Sequence, residues 1–221
     1  MELSFFDSLR LAIVFGLSLF LVLLRFDSDR IIRSDYFRYR SNWLGPFSYY
    51  AFAIVFSLGI AFLLQDRHRL FLSGGNPDNV LQITLLFTVV AIANAIGLAY
   101  LRYGGIKPLP IELLAPRALG AAANAISEEL QFRSVVLGLL IFAGVPTAVA
   151  LVIQAVLYGL AHRRLWYERD WYFLAGSVIL GYGAGLATLA TGSIVPAIVG
   201  HFAVTMALFA FAGSRVRQRP I

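Results

Sequence analysis

Ser127-Glu128-Glu129-Leu130-Gln131-Phe132-Arg133 is the stretch that decides how this chain is read. It lies inside the run 118–142, which is otherwise apolar enough to cross a bilayer. Two adjacent carboxylates and an arginine cost several kcal/mol in hydrocarbon, so such groups face a protein interior or a wet cavity and mark a functional site. Neighbours on a helix point about 100° apart, so Glu128 and Glu129 are not expected to form the same wall of one site. Glu129 and Arg133 are four residues apart and share a face, which suits an ion pair. Glu128 is then the freer carboxylate, with Asn124, one turn earlier, as its expected hydrogen-bond partner. A Glu129–Arg133 pair that only ties helices together would account for those two residues and leave Glu128 unexplained.

Working outward, the 221 residues are 59% hydrophobic and 14% charged, with mean hydropathy +0.77. A soluble domain has roughly half its residues apolar and about a quarter charged. Apolar blocks of spanning length recur at 11–24, 43–64, 80–101, 118–142, 147–162, 171–189 and 194–211. The fold class is therefore all-α: a polytopic transmembrane bundle of about seven spans. Strand-like alternation of polar and apolar residues, which a β-barrel needs, is missing. Turn signals separate the blocks: Ser73-Gly74-Gly75-Asn76-Pro77, Gly144-Val145-Pro146, and Thr191-Gly192-Ser193, the last reading as a turn with a helix N-cap.

The N-terminus lacks a basic region and a small-residue cleavage site, so the first block is read as an uncleaved span. With seven spans and the N-terminus outside, fourteen of the 18 Lys and Arg fall in inner connections and the tail. The first basic loop holds Arg25, Arg30, Arg33, Arg38 and Arg40. Outer segments hold Arg10, Arg67 and Arg69, and Arg133 lies within a span. This bias predicts an outside N-terminus and a cytoplasmic C-terminus in an integral, multi-pass protein, of the inner membrane if bacterial. The basic balance of +6 is then loop charge facing the cytoplasm rather than a nucleic-acid footprint. Trp43, Tyr100, Tyr103, Trp166 and Trp171 near span ends fit an interfacial aromatic belt. Gly181-x-x-x-Gly185, with Thr188 further along, gives a face where another helix approaches closely. We read one membrane domain over 1–221, with accessory N-terminal spans in 1–117 and a core in 118–213.

The remaining polar groups inside spans are few. His201 lies mid-span with Thr205 four residues on, where lipid would not favour an imidazole. His162 closes the fifth span, with Gln154 and Tyr158 stacked on its face at i−8 and i−4. Beside Arg163 and Arg164 it would, taken alone, be an interfacial residue. His68 sits in a charged loop and receives no role. One carboxylate and two imidazoles can activate a water as general base and steady the oxyanion that results. Other hydrolytic routes fall by absence. There is no cysteine, no aspartate inside spans two to seven, no His-Glu-x-x-His helix and no Gly-x-Ser-x-Gly elbow. A His₂Glu set with a water is also a zinc ligand group, so Zn²⁺ stays open as the lesser alternative to a site with no metal and no cofactor.

Three ordered motifs resemble a known family, the CAAX prenyl endopeptidase and bacteriocin-processing family of intramembrane glutamate proteases. They are Glu128-Glu129-Leu-Gln-Phe-Arg133, Tyr158-Gly-Leu-Ala-His162 and His201-Phe-Ala-Val-Thr205, with Thr191-Gly192-Ser193-Ile-Val-Pro196 before the last. The resemblance covers about 118–211. It implies that Glu128 is the general base, helped by His162, and that His201 contributes to oxyanion stabilisation. Glu129 and Arg133 would support the site, with Tyr158, Asn124 and Thr205 beside them. Tyr158 stands where the family has Phe, and Thr205 where it has Asn. A threonine hydroxyl donates one hydrogen bond but reaches less far than an amide.

The expected function is an intramembrane endopeptidase acting on a peptide or lipidated protein near the membrane surface, among membrane lipids and without nucleic acid. The alternative is a non-catalytic membrane protein of the same fold serving as a binding, immunity or scaffolding factor, a reading that Thr205 motivates. A small proton-coupled carrier is a third reading, although the inverted repeats frequent in carriers are not evident. The sequence does not choose an oligomeric state.

Overall fold

A computed structural model describes residues 5–26, 44–64, 70–106, 108, 110, 112, 114–162 and 170–212. Within them lie seven helices: α1 (Phe5–Phe26), α2 (Leu44–Leu64), α3 (Pro77–Tyr103), α4, α5 (Thr147–Ala161), α6 (Trp171–Thr191) and α7 (Val195–Ala212). Helix α4 is one rod in three parts: Ala115–Glu129, a π-helical stretch Leu130–Leu137, and Gly138–Phe142. The all-α class is therefore found, with a helix in each of the seven apolar blocks. Four helices, α1, most of α2, α3 and α6, are long and apolar enough to cross a membrane. The apolar helices at 147–161 and 195–211 are shorter. Most of the loop charges behind the orientation argument lie outside the described residues: Arg30, Arg33, Arg38, Arg40, Arg67, Arg69, Lys107, Arg163, Arg164, Arg169, Arg215, Arg217 and Arg219. So do His68, Trp43 and Trp166.

The turn signals do what their chemistry requires. Asn76 caps α3, its side-chain oxygen accepting from the Asp78 and Asn79 amides at 3.0 and 3.4 Å, with Pro77 opening the first turn. Gly192 closes α6 in the left-handed conformation (φ 68°), and Ser193 Oγ accepts from the Val195 amide at 3.3 Å to start α7. The same corner is tied to the segment before α3. The Ile194 amide donates to the Phe71 carbonyl at 3.1 Å, and Ser73 Oγ donates to the Gly192 carbonyl at 3.3 Å. A Cβ on Gly75 would sit 2.4 Å from the Thr191 carbonyl oxygen, so the two turns meet backbone to backbone.

Small residues let the helices close up. Phe87 of α3 lies against Gly183 of α6 and Gly200 of α7, where a Cβ would come within 3.0 and 2.3 Å of its ring. Around it pack Ala91, Ala95, Leu180, Ala184, Ala197 and Val204. The expected Gly181/Gly185 face of α6 receives α5. A Cβ on Gly181 would meet the Ala155 backbone at 3.3 Å, and one on Gly185 would meet Leu151 at 2.4 Å. Helix α1 docks through Val14 and Leu21 against Ile60, Ala61 and Leu64 of α2 and against Val135 and Leu139 of α4.

The polarity of the bundle is inverted with respect to a soluble domain. Large apolar side chains such as Phe62, Leu86 and Val89 point outward, while Arg133, Glu128, Glu129 and Gln154 are among the largest fully buried ones. All eight residues of the π stretch are buried. A π turn is rare and recurs at functional sites, because the wider turn re-aims the side chains beside it. Here it begins directly after Glu129.

Candidate active site

The two glutamates at the end of the α-helical part of α4 are each matched by a cation. Arg133 Nε stands 2.8 Å from Glu129 Oε2, with both side chains 0% exposed, as the four-residue spacing predicts. The contact is an ion pair, not an aligned hydrogen bond. The Arg133 guanidinium also lies 4.3 Å from the centre of the Tyr158 ring and donates from Nη2 to the Gly181 carbonyl at 3.4 Å. Gln154 donates to the same carbonyl at 2.9 Å, so the bare face of Gly181 is where α4, α5 and α6 meet.

The first correction concerns what holds Glu128. Arg25 Nη2 donates to its Oε1 at 2.5 Å, a partner the sequence reading did not give it, while Oε2 keeps it the freer of the two carboxylates. The sequence places Arg25 in a basic loop, but it belongs to the last turn of α1, with only 12% of its side chain exposed. Its position just after an apolar run makes it look like loop charge. The long side chain instead carries the guanidinium back into the bundle, as snorkelling does in the opposite direction. Nothing local in the sequence marks the pair, since its members are 103 residues apart. The apolar run ending directly at a basic residue was the only available signal.

The second correction concerns the walls of the site. Glu128 and Glu129 both face His201, because the imidazole is placed between them and its two nitrogens look in different directions. Nδ1 donates to Glu129 Oε1 at 2.8 Å, and Nε2 stands 3.9 Å from Glu128 Oε2. The 100° between the carboxylates is spanned by one ring. Asn124 belongs to this ring too: its Nδ2 donates to His201 Nε2 at 3.4 Å, so its partner is the imidazole and not Glu128. A carboxylate on Nδ1 and an amide donor on Nε2 together fix the proton on Nδ1.

Glu128 Oε2 is buried and has no hydrogen-bond partner among the described residues. It faces an imidazole nitrogen across a gap too wide for a direct bond, so the site offers two convergent acceptors. A water about 2.8 Å from each would hydrogen-bond both at once, seen at about 90° from the water, taking the Nε2 lone pair in place of the long 3.4 Å contact from Asn124.

Tyr158 organises the other side. Its ring packs edge-on to Phe132 (5.2 Å), His162 (4.9 Å) and His201 (6.0 Å), so both imidazoles meet one aromatic ring. His162 follows the last turn of α5, and its Nδ1–H donates to the Tyr158 carbonyl at 2.8 Å, leaving Nε2 as the acceptor. No hydrogen bond or ion pair joins His162 to Glu128 among the described residues. Of the two residues expected to share its face, Tyr158 does so and Gln154 turns to α6. Thr205 lies one turn beyond His201 on α7, part-exposed, and makes no hydrogen bond to the glutamates or His201 among the described residues. No group of three His, Asp or Glu side chains among the described residues is placed to hold a metal ion.

None of the curated proteins and none of the solved structures compared with the chain matches it. A family model does. Residues 110–207, which hold Asn124, Glu128, Glu129, Arg133, Tyr158, His162, His201 and Thr205, match the family described as Rce1-like, type II CAAX prenyl endopeptidase Rce1-like. The resemblance carried by the three motifs is thus found independently, and this is a helical membrane protein with a CAAX prenyl protease-like segment.

Proposed function

We propose that this protein is an intramembrane endopeptidase that hydrolyses a peptide bond near the membrane surface with a water activated by Glu128. The observation that carries the reading is the unpartnered, buried Glu128 Oε2 aimed at His201 Nε2 at 3.9 Å. A water there donates one hydrogen to each. As its oxygen attacks the carbonyl carbon, Glu128 takes the proton, and the C–N bond breaks when that proton passes to the leaving amine. His201, held by Glu129 with its proton on Nδ1, accepts the water's second hydrogen at Nε2; taking that proton up as the adduct forms, it hydrogen-bonds the oxyanion and returns the proton to the carboxylic product. His162 assists from across Tyr158, and Arg133 holds Glu129 so that the His201 ring keeps its orientation. The chemistry as written uses no metal or cofactor. The substrate is a peptide or lipidated protein reached from the cytoplasmic side.

A second reading has its own support. Glu128 Oε1 is closed in an ion pair and Thr205 makes no hydrogen bond to the glutamates among the described residues, which suits a non-catalytic member of the fold that binds a partner. The test is cleavage of an internally quenched farnesylated peptide ending in a Cys-aliphatic-aliphatic-X motif by the full chain in nanodiscs. We expect turnover that is lost in Glu128→Ala and in His201→Ala. Undiminished turnover in Glu128→Ala would overturn the glutamate mechanism.

A further inference from the structure

The matched segment begins at residue 110, yet one of the groups on Glu128 comes from α1, far outside it. Arg25 holds Oε1 and leaves Oε2 turned toward His201, so a single contact both balances the charge of a buried carboxylate and selects which oxygen meets the imidazole. The helix that carries Arg25 is seated, not appended. Val14 and Leu21 are packed into the cluster formed with Ile60, Ala61, Leu64, Val135 and Leu139, which places α1 against the π stretch that follows the glutamates. Near the start of that stretch Gln131 donates to the Tyr49 hydroxyl of α2 at 3.4 Å, a second polar contact between the N-terminal helices and this part of α4.

We propose that Arg25 is a positioning residue of the site: through Oε1 it fixes the Glu128 side chain with Oε2 toward His201, so that α1 completes the candidate active site. Without it, a glutamate with three rotatable side-chain bonds has no fixed reason to keep Oε2 in the productive direction. A misplacement of about 1 Å at a reacting group can cost on the order of 10²-fold in rate. The inference rests on the endopeptidase reading, and its test separates the two.

Full-length wild type, Arg25→Gln, Arg25→Lys, Glu128→Gln and the Arg25→Gln/Glu128→Gln double variant would be compared in nanodiscs. Their thermal unfolding and their turnover of the farnesylated quenched peptide would be measured. We expect kcat of Arg25→Gln to fall about 100-fold with KM within about threefold, and Arg25→Lys to recover at least about tenfold of the loss. Arg25→Gln should lower Tm by roughly 6–12 °C, because it leaves the buried Glu128 carboxylate without its cation, and Glu128→Gln should lower it too. The double variant should be no less stable than the worse single one. Wild-type kcat in a folded Arg25→Gln overturns the proposal while the endopeptidase reading stands. A raised kcat also overturns it and makes Arg25 a latch. Additive losses of Tm overturn the pairing itself. If wild type is inactive and unfolding is coupled, Arg25 is an anchor only, and the positioning role falls together with the endopeptidase reading.

Discussion

Replacing Arg133 with leucine tests whether the site is built on matched charges. The guanidinium and the Glu129 carboxylate are both fully buried and 2.8 Å apart, so Arg133→Leu leaves Glu129 with the His201 Nδ1–H as its remaining close partner. Breaking a buried pair by removing one partner costs about 3–5 kcal/mol, and losing a desolvated cation–π contact adds about 2 kcal/mol. Leucine removes the cost of burying the guanidinium, which offsets part of this, so a net loss of about 3 kcal/mol is expected. For a chain of this length, each kcal/mol moves Tm by about 2–4 °C, giving a fall of roughly 6–12 °C in a thermal scan in nanodiscs. The double variant Glu129→Gln/Arg133→Leu should recover at least half of that fall, because no unmatched charge remains. Arg133→Lys should not rescue fully, since an ammonium cannot lie flat over Tyr158 at 4.3 Å while reaching Glu129 and the Gly181 carbonyl. An Arg133→Leu Tm within about 1 °C of wild type would refute the reasoning, as would a double variant less stable than the single one.

Gly185→Val should push α5 off α6, because even a Cβ meets Leu151 at 2.4 Å and Gln154 Nε2 at 2.7 Å; a lower Tm and a weakened Gln154 contact to Gly181 are expected, and an unchanged Tm would contradict the packing. His162→Phe keeps a ring against Tyr158 but removes both nitrogens, so unfolding should stay within about 1 kcal/mol of wild type. Peptide turnover by this variant should fall by on the order of 10²-fold or more; a fully active His162→Phe would remove His162 from the mechanism. Thr205→Asn adds a longer donor one turn beyond His201 and is expected to raise kcat about tenfold, within the roughly 10²–10³ that one oxyanion donor is worth. A lower kcat with an intact fold would mean that position 205 does not face the reacting carbonyl.

What the sequence could and could not show follows from distance along the chain. The helices were legible because apolar runs of spanning length end at residues with one local job: Asn76 and Pro77 before α3, Gly192 and Ser193 between α6 and α7. The Glu129–Arg133 pair was legible because both partners are on one helix, four apart. Arg25 was not, because a guanidinium reaches about as far as a helix radius and its partner is 103 residues on. Asn124 was placed on the right face but given the wrong partner, since the imidazole that takes it comes from α7, 77 residues later. The π stretch left no mark, because Leu130 and Gly138 at its ends keep ordinary right-handed helical dihedrals and it contains neither Gly nor Pro. It buries Gln131, Arg133 and Ser134 along with its apolar residues, and no local pattern encodes the wider turn.

These contacts explain how two adjacent glutamates persist in an apolar helix at all. Glu128 and Glu129 bring two negative charges into the bundle, and Arg25 and Arg133 bring two positive ones, while the His201 ring stands between the two carboxylates. A buried ion pair barely repays its desolvation, so such a set is weak ground for stability and calls for another reason to be kept. The asymmetry between the two pairs supplies one. Arg133 stands over an aromatic ring and pairs with one oxygen of a glutamate whose other oxygen is engaged by His201, so both Glu129 oxygens have a close partner. Arg25 holds only one oxygen of Glu128, and the other is left facing His201 with nothing bonded to it among the described residues. A cluster that served only to join helices would gain by closing both halves alike. That this one leaves an oxygen open only in the Glu128 half is our ground for proposing that Glu129 supports and Glu128 reacts, which is the division that the variants at these two positions test.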